Sequence, residues 1–362
     1  MSSTSDPLSG DAALHIFRTP PEYKRAEEQR RADLHQFAIL SLQEIVDTEY
    51  QQNVPLVENL LSAGETALLI ARQKEGKSTL ALQLAIDIAC GEKFLGYYKT
   101  QRGAVAYVDY ENRPHRLKER TLDIGRDRPL DNVLIKAFPN IAGRDVALFG
   151  ERFDRLLKLV NVVRPSVLII DPLRLAVEKD SSDERGAVEA IDQVSALRTS
   201  NPEMAVLLLH HLKKAQDNFT IELRTDPRAW IERVYGSQAL LAHVETIWGL
   251  EHDDSGYAFG TVSRSEDSFV IGLEKEPDSQ RFKMSDQPVQ LATLPLALQE
   301  AWSKLPEEFS RTEGFQRGIA NNTLDRLIRA ARPMGLLTQD PKTKRYRKAG
   351  PNKVQGMGIL GK

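Results

Sequence analysis

Thr66-Ala-Leu-Leu-Ile-Ala71-Arg72-Gln73-Lys74-Glu75-Gly76-Lys77-Ser78-Thr79 runs directly into Leu80-Ala-Leu-Gln-Leu-Ala-Ile-Asp-Ile-Ala-Cys90-Gly91. Ala67–Ala71 is an apolar run of strand length, and Leu80, Leu84 and Ile88 recur every four residues, as on one face of a helix. Between strand and helix lies the pattern GxxxxGK[ST], with Ala71 where the first glycine is usual. Such a loop turns successive backbone amides and the positive end of a helix toward one point, where phosphate oxygens are held. Gly76 permits the tight path, Lys77 brings a cation to the β- and γ-phosphates, and Ser78 brings a hydroxyl for Mg²⁺. Alanine at 71 requires only a negative φ there. Ala71 to Thr79 are therefore the candidate cradle for ATP with Mg²⁺.

Outward from this loop, apolar runs alternate with amphipathic helix-length segments from about Phe37 to Leu250. Expected strands are Ala67–Ala71, Ala104–Asp109, Val133–Ala137, Val167–Asp171 and Ala205–His210. The rhythm predicts an α/β core with a mainly parallel sheet and helices on both faces. Near-continuous apolar strands suit positions buried on both sides. Tyr257–Arg264 and Ser268–Glu274 predict a closing hairpin, and Pro288–Pro306 reads as a linker.

Three strand ends carry polar groups. Ser166-Val-Leu-Ile-Ile-Asp171 is an apolar strand ending in an acid, and Asp171 is the expected holder of Mg²⁺ through its water shell. Pro172 follows directly, so no second acid stands beside it. Ala104-Val-Ala-Tyr-Val-Asp109-Tyr-Glu111 offers the candidate general base Glu111, on a strand expected to neighbour the phosphate-loop strand, with Asp109 as runner-up. Ala205-Val-Leu-Leu-Leu ends in His210-His211, where His210 is expected to sense the γ-phosphate. The remaining histidines are scattered and the only cysteine is Cys90, so no zinc set is spelled out. Cys90 reads as a small buried residue.

Composition narrows the class. Apolar content of 41% and charged content of 28% are those of an ordinary folding chain. No apolar run is long enough to span a bilayer, no secretory signal opens the chain, and one cysteine suits a reducing compartment; a cytoplasmic protein without membrane contact is expected. Residues 1–36 read as a disordered and then charged arm. The net charge of −2 is unevenly spread: Ser303–Lys362 holds 13 Lys and Arg against 5 Asp and Glu. A basic carboxyl-terminal module on an acidic body is the asymmetry of a chain that touches polyanions.

Residues 307–350 read as helix, turn, helix and a hairpin around Asp340-Pro341, the outline of a small winged-helix domain, followed by a flexible tail over 351–362. Asn322 is expected to cap the second helix. Asn322, Thr323 and Arg326 on that helix, and Lys344 and Arg345 on the wing, are candidate contacts to duplex DNA.

With these elements in order, the chain resembles the RepA-type hexameric replicative helicases and their RecA- and DnaB-like relatives over about Val54–Glu274. The resemblance rests on the loop followed by LALQLA, on YVDYENRPHRLKERT, on IIDPLRLAVEKDSSDERGA, on LLLHHLKKA, on Tyr235-Gly236-Ser237, and on Phe259-Gly-Thr-Val-Ser-Arg264. It implies a RecA-like core, a homo-hexameric ring hydrolysing Mg-ATP at subunit interfaces, and single-stranded DNA through the ring. Glu at the tip of its strand is how such motors supply a base. Where the family carries an arginine reaching into the neighbouring subunit's ATP, this chain has Tyr235, so Arg264 or Arg233 would serve. The loops 173–185 and 213–233 would meet DNA, with Lys213 and Lys214 the preferred contacts. A replication initiator or loader that binds DNA without unwinding it is the alternative.

Overall fold

The computed structural model describes residues 29, 39–48, 54–137, 145–178, 184–212, 222–232, 238–253, 256–263, 268–285, 289–290, 294, 296–332, 334–349 and 354–355. The chain divides into two units, Met1–Gln52 and Asn53–Lys362. In the first, the short helix α1 (Leu42–Asp47) is opened by Ser41, whose hydroxyl accepts from the Glu44 amide while the Glu44 carboxylate reaches back.

In the second unit a hairpin of β1 (Pro55–Val57) and β2 (Leu61–Ser62) precedes one large sheet. Its strands are β3 (Thr66–Ala71), β4 (Val105–Asp109), β5 (Val133–Ala137), β6 (Val167–Asp171), β7 (Ala205–His211), β8 (Thr246–Asp253), β9 (Gly256–Ser263), β10 (Phe269–Lys275) and β11 (Phe282–Met284). They lie in the order β11-β10-β9-β8-β3-β7-β6-β4-β5. From β8 to β5 all neighbours are parallel; β9, β10 and β11 extend the sheet antiparallel. Every residue of β3, β4 and β6 is buried, because both faces are covered.

On one face Leu69, Ile169 and Leu207 pack against Leu80, Leu84 and Ile88 of α2 (Lys77–Cys90). On the other, Leu68, Leu168 and Leu208 meet Leu156 and Val160 of α4 (Gly150–Val163) and Val194 and Leu197 of α6 (Glu184–Ser200). Each such side chain contributes on the order of 1.5–3 kcal/mol by leaving water. Between these elements lie α3 (Pro114–Ile124) and α5 (Leu173–Ala176), and before β8 come α7 (Pro227–Ile231) and α8 (Gln238–His243). Gly249 and Gly260 face each other across β8 and β9. A Cβ on Gly249 would lie 2.8 Å from Trp230, and one on Gly260 2.9 Å from Leu223, so both are glycine to admit the α7 segment.

Four expectations change. β4 does not neighbour the phosphate-loop strand: it pairs with β6 and β5, and β7 with β6 separates it from β3. The 288–306 stretch is not merely a linker, since β12 (Val289–Gln290) and α9 (Leu296–Lys304) lie within it. Asn322 does not cap its helix: α11 (Asn321–Ala331) has Ala320 at its N-cap with no side-chain bond, and the Asn322 side-chain Oδ1 accepts from the Thr323 amide. Cys90 is half-buried rather than buried.

The carboxyl-terminal segment comprises α9, β13 (Glu308–Phe309), α10 (Arg311–Gln316), α11, β14 (Leu337–Gln339) and β15 (Tyr346–Lys348), its strands ordered β13-β15-β14. Leu298, Trp302, Leu324 and Leu327 belong to the same apolar cluster as Leu69 and Leu84 of the core. The Tyr97 hydroxyl donates to the Arg332 carbonyl at 2.5 Å.

Candidate functional site

The sheet delivers β3, β7, β6 and β4 with their carboxyl ends side by side, and the polar residues at those ends form the site. Gly76 sits at the amino terminus of α2 with φ 97°. A Cβ there would meet Phe282 Cζ at 2.8 Å, so the left-handed turn and the close approach both require glycine. Ala71 ends β3 as a buried strand residue, which explains why the first glycine of the pattern is dispensable. The loop is braced from within and without: the Arg72 amide donates to Glu75 Oε2 at 2.8 Å, and Arg72 Nη2 lies 3.4 Å from Glu251 Oε1 on β8. Gln73 and Lys74 are exposed at the loop's crest, while Ser78 and Thr79 open the helix half-buried.

Lys77 is buried, and that burial pushes its ammonium pKa down, against the opposing pull of Asp171, Glu111 and Glu75. Its Nζ lies 3.2 Å from His211 Nδ1. Burial first, then the charges of Lys77, His210 and Arg174, push the His211 pKa down to about 4. His211 is therefore neutral near pH 7, with Nδ1 free of a proton to accept from Lys77. His210, the expected sensor, is buried one residue earlier on the same strand, and it is His211 that lies beside Lys77. The reason is strand parity: adjacent side chains on β7 face opposite ways, so one residue changes which layer is touched.

Asp171 is buried at the end of β6, and desolvation raises its pKa to about 6 despite hydrogen bonds from Ser78 and Tyr107. The Tyr107 hydroxyl donates to Asp171 Oδ2 at 2.7 Å. A buried carboxylate next to the phosphate-loop serine, costly without a cation, fits Mg²⁺. Among the described residues no group of three or more His, Cys, Asp or Glu could hold a metal. Mg²⁺ keeps waters and takes phosphate oxygens, and Ser78 and Asp171 are the residues that would hold it. When bound, Mg-ATP supplies the γ-phosphoryl group and a charge that offsets the phosphates.

Asp109 and Asp171 are paired across β4 and β6. Asp109 is buried and committed: Oδ1 accepts from the amides of Glu111 and Asn112, and both oxygens accept from the Asn112 side chain. Glu111, exposed at the tip, is near enough for its charge to act on Lys77. Asp109 thus shapes the turn, and Glu111 is the carboxylate open to solvent water. The Glu111 reading expected β4 beside β3, and β7 and β6 lie between them instead.

Arg264, Arg233, Lys213 and Lys214 lie outside the described residues. On α11, Asn322 and Arg326 are exposed and Thr323 is half-buried. Lys344 is exposed at the hairpin, whereas Arg345 is engaged internally, its Nη2 donating to Glu313 Oε2 at 2.9 Å. Sequence reading passed over His211, Tyr107, Glu251 and Phe282. Glu251 is buried on β8, where it accepts from Trp230 Nε1 at 2.8 Å and the Leu223 amide at 2.6 Å. Its signal, an acid inside an apolar strand run, was present in Thr246-Ile-Trp-Gly-Leu-Glu251.

A P-loop cradle, a buried acid two strands away and a glutamate on the next strand define a P-loop ATPase with a RecA-like core. A family model described as "AAA domain" matches residues 31–217, just over half of the chain. The chain belongs to that family. A KaiC-like protein from the hyperthermophilic archaeon Pyrococcus horikoshii OT3 is similar at 15% identity with a TM-score of 0.39, over 66% of this chain and 99% of that one.

Proposed function

We propose that this ATPase is a ring-forming motor, a hexamer in the simplest case, that hydrolyses Mg-ATP at subunit interfaces and moves on DNA during replication of a mobile element. The observation that carries the reading is Glu111 at a tip held by Asp109, within electrostatic reach of Lys77. In this reading Lys77 binds the phosphates, Ser78 and Asp171 hold Mg²⁺, and Glu111 orients water for in-line attack. Neutral His211 accepts from Lys77 and responds when the γ-phosphate leaves. Arg264 or Arg233 of a neighbouring copy completes the site, Lys213 and Lys214 follow single-stranded DNA, and the carboxyl-terminal segment acts as a winged helix on duplex. A replication initiator or loader without unwinding activity is the second reading, favoured by one observation: the basic segment shares the core's apolar cluster, as suits a fixed DNA clamp.

ATPase rates with and without single-stranded DNA, measured alongside a native mass, separate the two. The motor predicts a ring mass and stimulated turnover; a monomer or dimer whose turnover ignores single strands sinks it and leaves the initiator.

A further inference from the structure

A cleft of about 340 Å³ opens where α11 meets the core, lined by Arg311, Arg329, Arg332, Asp325, Tyr346 and Asn59. Asn59 belongs to the turn between β1 and β2, so the two walls come from the ATPase core and from the basic segment. The wall residues are oriented. Arg311 Nη1 lies 2.8 Å from Asp325 Oδ1 and bonds Tyr346, whose ring stacks on Phe309 at 5.4 Å. Arg332 Nη2 is 3.7 Å from Glu58 Oε1, and its carbonyl is held by Tyr97. Arg329 is exposed and makes no ion pair among the described residues. Three guanidiniums against the carboxylates of Asp325 and Glu58 leave one net positive charge at the cleft.

Asn322, Arg326 and Arg329 follow at intervals of four and three on α11 and share its outward stripe. Arg329 therefore belongs both to that stripe and to the cleft. We infer that the cleft is a composite phosphate site, in which the core turn at Asn59 and the side chains of Arg311, Arg329 and Arg332 grip one backbone phosphodiester of duplex DNA. The inference rests on the duplex-binding part of the reading above and adds that the ATPase core itself touches the duplex. Guanidinium forks suit phosphate oxygens, and such contacts position a helix on DNA without reading bases.

The test is duplex affinity of the full chain across a salt series, by fluorescence anisotropy, for the unaltered protein and for Arg329→Gln, Asn59→Asp and the remote control Lys118→Gln. Loss of one phosphate contact should reduce the slope of log affinity against log salt by ~0.9, or roughly eightfold in affinity at about 0.1 M salt. Arg329→Gln should show that loss on every duplex sequence. Asn59→Asp should also weaken binding, because it places a carboxylate on the core wall; Lys118→Gln should not. Aspartate tolerates the left-handed backbone of position 59, where φ is 61°, so that variant keeps the fold, which its melting temperature will verify. Unchanged slopes in Arg329→Gln and Asn59→Asp, with duplex binding intact, overturn the cleft alone. No duplex binding by the unaltered chain overturns the duplex reading and the cleft with it. A thermal shift with inorganic phosphate that Arg329→Gln abolishes, with no change on duplex, assigns the cleft to free phosphate and also overturns it.

Discussion

Asp109 Oδ1 accepts the backbone N–H of Glu111 at 3.0 Å, so the first acid of the pair holds the tip from which the second projects. Glu111→Gln should therefore keep ATP affinity and lower kcat by roughly 10²–10⁴, the usual worth of a general base. Lys77→Ala should lose nucleotide binding, because lysine meets the phosphates already in the ground state. Asp109→Ala should destabilise the fold by about 1 kcal/mol through the part-buried amides it orphans, and reduce turnover less than Glu111→Gln. Equilibrium nucleotide binding beside single-turnover rates checks all three; a Glu111→Gln protein with full turnover would return the base to Asp109.

Asp171 should show activity and stability pulling apart. Burial raises its pKa from 3.8 to about 6, so the folded chain holds this proton more tightly than the unfolded one. That contribution is complete below pH 3.8 and is lost as pH rises through about 6. At pH 7.5 the ionised group then costs the nucleotide-free protein up to about 3 kcal/mol, an upper figure. Asp171→Asn, still able to accept from Tyr107, should melt higher than the unaltered protein at pH 7.5 without nucleotide, and should lose Mg²⁺-dependent turnover. Melting curves at pH 7.5 with EDTA check it; a lower melting point for the asparagine variant would refute the desolvation account.

The two histidines of β7 should part company. His211→Ala removes the acceptor from Lys77 Nζ and should lower kcat at least tenfold with little loss of stability. His210→Ala empties a buried position and should cost roughly 1–3 kcal/mol by analogy with other buried truncations, with kcat of the surviving folded fraction intact. Melting temperature and kcat measured on both variants decide it; the reverse pattern would put His210 at the phosphate site.

Interface catalysis predicts complementation. Arg264→Ala and Lys77→Ala subunits are each inactive if Arg264 acts in trans, yet a mixed ring contains junctions with an intact loop and an intact arginine. ATPase activity of the mixture should exceed that of either alone and peak at an intermediate ratio. A flat response at every ratio argues against shared sites.

Much of the core was legible because its strands announce themselves. Val133–Ala137 and Val167–Asp171 fall where the apolar runs placed them, and Ala205–His211 differs by one residue. That one residue mattered, since His210 and His211 differ only in which sheet face they meet, and parity is set by pairing with β3 rather than by local pattern. Strand order was equally hidden: nothing local in Ala104–Glu111 says that β6 and β7 will lie between it and the phosphate loop. The helix Leu296–Lys304 was masked by its flanking prolines in the sequence, although Leu298, Ala301, Trp302 and Leu305 carry helical spacing. Glu251 was overlooked because its partners, the Leu223 amide and the Trp230 indole, come from another segment.

The apolar cluster that runs unbroken from Leu69 and Leu84 to Trp302 and Leu324 bears on how this chain can be cut, heated and varied. A polypeptide ending near residue 295 would leave wet the face that Leu298 and Trp302 cover, and one beginning near residue 303 would lack Leu298, Ala301 and Trp302 from its interior. Neither half is a detachable part, so calorimetry of residues 53–362 should trace one cooperative melting event. Trimming Trp302 should then lower the temperature at which ATP is bound, although the indole is nowhere near a phosphate.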